Sequence, residues 1–419
     1  LSNSHRLNFV CYLTNVFTVG LASSCGTVAL FLALVILVKS RTLAAALALS
    51  YALATIAFPY STLFFSHQFT AGLLIISFTT LLYLRGKRTE SVSPKAQLRI
   101  LYGFAGFCAG YAFVCEYPAL IVTATLSLYT LLTRPRRMEL ILYCSGILLG
   151  MLPLVLYNSI VFGNWHFLTY GVESQVNNPS YHYHKVGFLG LQMLSLKNVL
   201  ALTIMPFRGL FYCNPWLVLS VGGPFLLIRK QGFQLEHGIS LAIALTLLCF
   251  NAGLTFWDGG SGIGPRYLLL AIPFLVILIA PCIELSSVYR VLIAPLILPS
   301  AIFMYIASAV DPMPQITYRN PIFDLLIPLY QQGKLAMQSW GVFEHELITH
   351  NSVAFNLGKL LGLSPQWQLM PLLAMTLLLS HFMLQISYTV DKQNGLKPIP
   401  PLLITSCAAI VPILLLVIS

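Results

Sequence analysis

The chain has 419 residues, of which 58% are hydrophobic and 8% charged, with mean hydropathy +0.82 and net charge +11. Soluble domains carry about a quarter charged residues, so this composition excludes a water-soluble globular protein and points to the bilayer. The positive charge forms no single patch, which makes nucleic-acid binding the poorer reading of it.

Taken in chain order, apolar stretches near the length that spans a bilayer core fall at about 8–38, 42–57, 60–84, 100–114, 119–133, 138–161, 208–228, 238–256, 267–283, 291–310, 368–390 and 399–419. The segments at 100–114 and 119–133 are short, and are expected to pair as one out-and-back hairpin because Arg99 and Arg134 flank them on the same side. The expected fold is therefore all-α, a polytopic integral membrane helix bundle. It has about twelve transmembrane helices with interfacial helices outside, as one domain over 1–419.

Between these stretches lie six basic loops: Lys39/Arg41, Arg85 to Arg99, Arg134/Arg136/Arg137, Arg229/Lys230, Arg290 and Lys392/Lys397. Two crossings fit between each loop and the next, so all six face one compartment. They hold most of the 23 Lys and Arg residues, and by the positive-inside rule that compartment is the cytoplasm. The chain starts at Leu1, and its first crossing must then run from outside to inside. An upstream helix is expected to precede it, the alternative being a short outside terminus translocated unaided. The nine Cys residues lie almost all in apolar stretches without regular spacing and read as small hydrophobes.

Length, aromatics and acids gather on the other side, chiefly in loops at about 162–207 and 311–367 with shorter ones at 58–67, 115–118 and 257–266. Seven of the 12 acidic residues lie there: Glu116, Glu173, Asp258, Asp311, Asp324, Glu344 and Glu346. Ionisable groups at helix mouths are costly unless paired or solvated, so they are functional candidates. Pro59 is expected to break its helix at this face, and His67 in the following Tyr60–His67 segment is a proton carrier or a satisfied helix-end histidine. Glu116, in Glu116-Tyr117-Pro118, is a site carboxylate or a solvated turn. His182 and His184 could hold a metal, but no third ligand is in reach. The stretches Val186–Met205 and Ile322–Trp340 read as amphipathic helices on the membrane surface, which either cover the bundle or grip a lipid. Arg208 is a phosphate contact or an interfacial anchor.

The most specific segment runs Trp257-Asp258-Gly259-Gly260-Ser261-Gly262-Ile263-Gly264-Pro265-Arg266-Tyr267. Its glycines, Gly260 and Gly262 among them, let the backbone approach a ligand and turn N–H groups toward an anion. Arg266 could hold a phosphate through two hydrogen bonds. Asp258 could be a base, a metal ligand or the partner of Arg266, and a tight turn closed by an Asp258–Arg266 ion pair is the structural alternative. A dinucleotide fold is excluded, because no strand precedes the glycines.

Together with Leu156-Tyr157-Asn158, Phe162-Gly163, Tyr170-Gly171 and Arg208-Gly209-Leu210-Phe211, these segments resemble the GT-C glycosyltransferase superfamily over roughly residues 50–280. That superfamily includes protein O-mannosyltransferases and lipid A aminoarabinose transferases. The resemblance implies transfer of a sugar from a polyprenyl-phosphate donor to a lipid, glycan or protein acceptor on the non-cytoplasmic face, in a bacterial inner membrane. On that reading Asp258, Glu116 and His67 are the acid–base candidates, and Arg266, Arg208, Gly260, Gly262 and Tyr170 line the donor site. The acid that activates the nucleophile in that superfamily typically lies in a first large outside loop, and no position here takes that role by transfer. No cofactor is assigned, a divalent metal being the one candidate. Beyond the substrates, only membrane lipids are expected as partners, with no nucleic acid. A transporter or flippase of a lipid-linked sugar or other amphiphile is the alternative; it predicts ionisable residues at helix midpoints and broken helices. The helix centres here are almost free of charge, although mid-span prolines such as Pro153, Pro224, Pro273, Pro295 and Pro299 are present.

Overall fold

The computed structural model describes residues 10, 12–87, 95–166, 183, 186–188, 190–335, 357–364 and 367–402. Among them the chain is helical, with no strand beyond the isolated bridges Phe188↔Leu191 and Leu191↔Leu254. In order the helices are α1 (Leu21–Leu37), preceded by a π-turn at Val16–Gly20, then α2 (Arg41–Leu53), α3 (Ala57–Ser61), α4 (Ser66–Lys87), α5 (Lys95–Cys115), α6 (Ala119–Leu132) and α7 (Arg137–Phe162). There follow α8 (Leu196–Thr203), α9 (Leu210–Cys213), α10 (Leu219–Arg229), α11 (Leu235–Gly253), α12 (Ile272–Leu285), α13 (Ser287–Ala309), α14 (Ile327–Gln331), α15 (Leu357–Leu360) and α16 (Met370–Gln393).

Among the described residues, eight helical stretches are long and apolar enough to cross a membrane: Tyr12–Leu37, Ser66–Lys87, Leu98–Cys115, Arg137–Phe162, Leu235–Gly253, Arg266–Leu285, Ser287–Ala309 and Met370–Gln393. Shorter apolar helices at Arg41–Leu53, Ala119–Leu132 and Pro215–Arg229 alternate with them. The expected crossing at 399–419 lies almost wholly outside the described residues. The crossing expected at 100–114 is longer than its apolar stretch, because α5 starts at Lys95 and carries Arg99 on its first turns. Nor does Pro59 break its helix: it lies inside α3, and the break falls at 54–56. There Asn214 Oδ1 accepts the Ile56 N–H (2.8 Å) and the Trp216 indole donates to the Ala54 carbonyl (2.9 Å). A helix can open inside a bundle only where such partners satisfy the freed backbone groups.

α12 is the axis of the molecule. Ile272 to Ile283 are all buried, as expected of a helix apolar on every face. α7 is peripheral and joins the bundle through a glycine seam with α5. A Cβ on Gly106 would collide with the Tyr143 carbonyl, on Gly110 with that of Ile147, and on Gly146 with that of Gly103; on Gly150 it would lie 2.5 Å from the Phe107 carbonyl oxygen. Such small-residue spacing lets two backbones touch where lipid supplies no hydrophobic drive. A second seam brings Gly72 of α4 against Ala22 and Gly26 of α1, the Gly72 Cβ position being 2.6 Å from the Ala22 carbonyl oxygen.

At the end of the bundle that carries the basic loops, every described carboxylate anchors structure. Glu139 accepts the Arg136 N–H and caps α7 (2.7 Å). Glu236 on α11 receives the Tyr129 hydroxyl of α6 (2.7 Å) and the guanidinium of Arg85 from α4. Glu284 accepts the Lys39 and Ser40 N–H groups (2.8 and 2.9 Å). Asp391, fully buried near the end of α16, accepts the Arg41 and Thr42 N–H groups and the Ser40 and Thr42 hydroxyls, all within 2.9 Å. Glu284 and Asp391 satisfy the free N–H groups at the start of α2 and complement its dipole. Asp391→Ala is therefore expected to cost about 3 kcal/mol, since it strands several buried donors at once. A lowered melting temperature of the purified protein in detergent checks this; an unchanged one would show that water replaces the carboxylate without loss.

The surface helices are shorter than their sequence pattern. In Val186–Met205 only Leu196–Thr203 is helical, capped by Ser195, and Ile322–Trp340 forms a π-turn and α14 before the described residues end at Leu335. The amphipathic spacing persists in each stretch, but turns at 186–191 and backbone pairing of Leu191 and Gln192 with the end of α11 take the place of helix in the described part of the first half of 186–205.

Candidate functional site

At the opposite end, α4 begins with Ser66 and His67, α5 ends beside Glu116, and a tight helical turn begins at Arg266. His67 Nδ1 lies 2.8 Å from Glu116 Oε1, and the Ser66 hydroxyl donates to the same oxygen. His67 is buried, stacked on Phe65 and edge-on to Tyr267 (5.4 Å between centroids). The Arg266 guanidinium lies over the rings of Phe65 (5.7 Å) and Tyr267 (5.4 Å), so the aromatic residues hold cation and imidazole in one cluster. Its Nε is buried and has no hydrogen-bond partner among the described residues; the same holds for the hydroxyl of fully buried Tyr60.

The electrostatics follow from this packing. Burial alone would push the Glu116 carboxyl up, but His67, the Ser66 hydroxyl and the charge of Arg266 more than offset it and hold the carboxyl below its ordinary value. Glu116 is thus a carboxylate that orients the imidazole through Nδ1.

The glycine hairpin has the backbone its sequence predicts. Gly259, Gly260, Gly262 and Gly264 have φ of 71°, 74°, 145° and 65°, a region where side chains are strained. Its use differs from the expectation. The Gly260 N–H is taken by Asp258 Oδ1 (3.0 Å), and those of Gly262 and Ile263 by the Pro314 and Pro312 carbonyls (3.0 and 3.2 Å). These N–H groups are turned into the fold and do not face an anion. Asp258 closes its own turn and makes no ion pair with Arg266 among the described residues.

Arg208 is likewise engaged within the fold. It is fully buried and donates to the carbonyls of Asp258 (3.1 Å), Gly260 and Gly262, so it holds the hairpin from beneath. Burial pulls its guanidinium below the ordinary value, opposed by Tyr60 and Asp258. Of the sequence candidates, then, His67, Glu116 and Arg266 come together, while Asp258, Gly260, Gly262 and Arg208 build the turn that carries Arg266. Tyr170, Glu173, His182, His184, Glu344 and Glu346 lie outside the described residues.

Ser66, Phe65, Tyr60 and Tyr267 are the residues sequence reasoning missed as site members. All four lie in segments already singled out, Tyr60–His67 and Trp257–Tyr267, and only their spatial partners mark them. Asp311 and Asp324 serve local turns, accepting the N–H groups of Met313 (2.8 Å) and Asn320 (2.9 Å). Among the described residues no three His, Cys, Asp or Glu side chains converge as a metal-binding group, and no cysteine is in a disulfide. A cavity of about 460 Å³ is lined by residues of the first helix with Ser61 and Thr62; none of His67, Glu116, Asp258 and Arg266 lines it. In comparisons with protein-family models, curated proteins and solved structures, nothing matches this chain.

Proposed function

We propose that the chain is a membrane glycosyltransferase that takes a sugar from a polyprenyl-phosphate carrier, at the end of an approximately twelve-helix bundle that faces away from the cytoplasm. The observation that carries this reading is the Ser66–Glu116–His67 cluster with Arg266 beside it. A transferase at that face needs a base for the acceptor hydroxyl and a positive group for the departing phosphate. His67 Nε2 takes the acceptor proton as the acceptor oxygen bonds to the anomeric carbon. The bond from that carbon to the phosphate oxygen breaks, and the leaving polyprenyl phosphate gains a charge that Arg266 meets. Glu116 fixes the imidazole tautomer and stabilises the imidazolium.

The test uses purified protein in nanodiscs with a panel of polyprenyl-phosphate sugars, following the donor by mass spectrometry. Arg266→Ala is expected to lower transfer about 100- to 1,000-fold, and Arg266→Lys to recover little, because an ammonium cannot reproduce a planar fork. Full activity of Arg266→Ala would remove Arg266 from the site.

A second reading, transport of a lipid-linked sugar or other amphiphile, draws on one observation. Gln68 Nε2 donates to Ser23 (3.0 Å) and Tyr51 (3.1 Å) within the bundle, leaving Gln68 Oε1 and Thr70 Oγ1 buried without partners among the described residues. Polar groups within crossing helices mark pathways. A transporter would move the donor across a vesicle membrane with its mass unchanged.

A further inference from the structure

The cavity between the first helix and the start of the α3–α4 connection has a chemistry of its own. Its lining is Tyr12, Asn15, Val16, Phe17, Gly20, Leu21, Ser24, Ser61 and Thr62, which includes no charged side chain. About 460 Å³ is in the range of pockets that bury a small-molecule ligand. Phe17 and Leu21 are 68% and 54% exposed on the helix face that meets lipid, so the apolar part of the lining is open to the bilayer. The helix here winds as a π-turn over Val16–Gly20, a local widening common at functional sites. That turn packs against α4, the helix that starts with Ser66 and His67.

Apart from the Tyr12 hydroxyl and the Asn15 amide nitrogen, which can donate, the polar atoms of this lining are acceptors. The Ser24 hydroxyl donates to the Gly20 carbonyl (2.9 Å), that of Ser61 to Phe58 (2.7 Å), and that of Thr62 to Pro59 (2.7 Å). With their protons committed, these oxygens offer lone pairs only. Asn15 Oδ1 is buried without a hydrogen-bond partner among the described residues, and it too is an acceptor. A lining with no cation, and with a buried acceptor at Asn15 Oδ1 that lacks a partner among the described residues, disfavours a phosphate or carboxylate and suits a neutral group that donates a hydrogen bond.

We propose that this cavity binds a neutral, hydroxyl-bearing amphiphile, with its chain along Val16, Phe17 and Leu21 and its hydroxyl among Asn15, Ser24, Ser61 and Thr62. On the glycosyltransferase reading, and resting on it, that amphiphile is the acceptor, delivered from the bilayer along the α3–α4 turn toward His67. The acceptor class is then a lipid alcohol.

The test is photolabelling of the full chain in nanodiscs with a diazirine derivative of dodecanol, competed by unlabelled dodecanol, its methyl ether or dodecyl phosphate. Saturable labelling between Tyr12 and Ser24 is expected, with dodecanol competing about fivefold better than the ether, the size of one neutral hydrogen bond. Gly20→Phe should abolish the labelling: the Cβ position at Gly20 meets only the Asn15 carbonyl at 3.5 Å, so a ring there fills the cavity without striking other backbone. Non-saturable labelling, equal competition by the ether, stronger competition by the phosphate, or unchanged labelling of Gly20→Phe would each overturn the proposal. The wild-type alcohol-to-ether comparison stands whether or not that variant folds. Saturable labelling without sugar transfer would sink the transferase reading and leave the lipid site; transfer without such labelling would do the reverse.

Discussion

His67→Ala is expected to lower sugar transfer by at least about 100-fold while leaving donor binding within a few-fold, the pattern of a lost general base. Glu116→Gln should lose nearly as much. It keeps a hydrogen-bond partner for Nδ1 but removes the charge that stabilises the imidazolium and can favour the wrong tautomer. Ser66→Ala should cost less, because it removes one of two contacts to a single carboxylate oxygen. The sign of the pH response follows from Glu116. Its folded-state carboxyl lies below the ordinary value of about 4.3, so the stabilising pair is fully present above that value. It is lost as pH falls through the lower, folded-state value. Acid therefore should loosen this end of the bundle, and Glu116→Gln should flatten that limb of a melting-temperature profile against pH. Equal activity of His67→Ala and wild type, in protein that elutes as a single folded species, would leave the pair as a helix staple and nothing more.

The second large effect lies far from the chemistry. Gly106→Leu and Gly146→Leu should each destabilise the protein by about 1–3 kcal/mol or more, because each side chain would have to occupy space already filled by the backbone of the facing helix. Combining them should prevent recovery of monodisperse protein. Gly86→Leu is the control: a Cβ there meets nothing within 4 Å, so its stability should match wild type. Thermal unfolding followed by size-exclusion chromatography in detergent measures all four. If the seam variants melt with the control, α5 and α7 pack less tightly than the structure has them. The seam also bears on the site, since Glu116 follows the last turn of α5 and any shift of that helix moves the carboxylate from His67.

Some of this was legible in the residues alone. A chain with 8% charge must place its backbone polar groups inside helices if it lies in a bilayer, and basic loops at regular intervals divide those helices between two ends. Glycines at 259, 260, 262 and 264 announced a turn of left-handed residues, because few other residues tolerate such φ values. His67, Glu116 and Arg266 stood out because ionisable groups are scarce and expensive in this setting.

What each polar group does was decided by tertiary structure. Arg208 and Arg266 are alike in sequence, each opening an apolar stretch, yet one is used up on three hairpin carbonyls and the other keeps a buried Nε without a partner. Asp258 and Glu116 both stand in connections between helices, yet one closes its own turn and the other meets the imidazole of His67 at the start of α4. Asp391 and Glu284 gave no sign that they meet at the start of α2, 350 and 245 residues from their partners there. Hydropathy and φ preference are properties of a residue and its neighbours, so they survive in sequence. Partnership between polar groups depends on which helix ends pack side by side, and backbone contacts such as the α5–α7 glycine seam decide that only when the bundle closes.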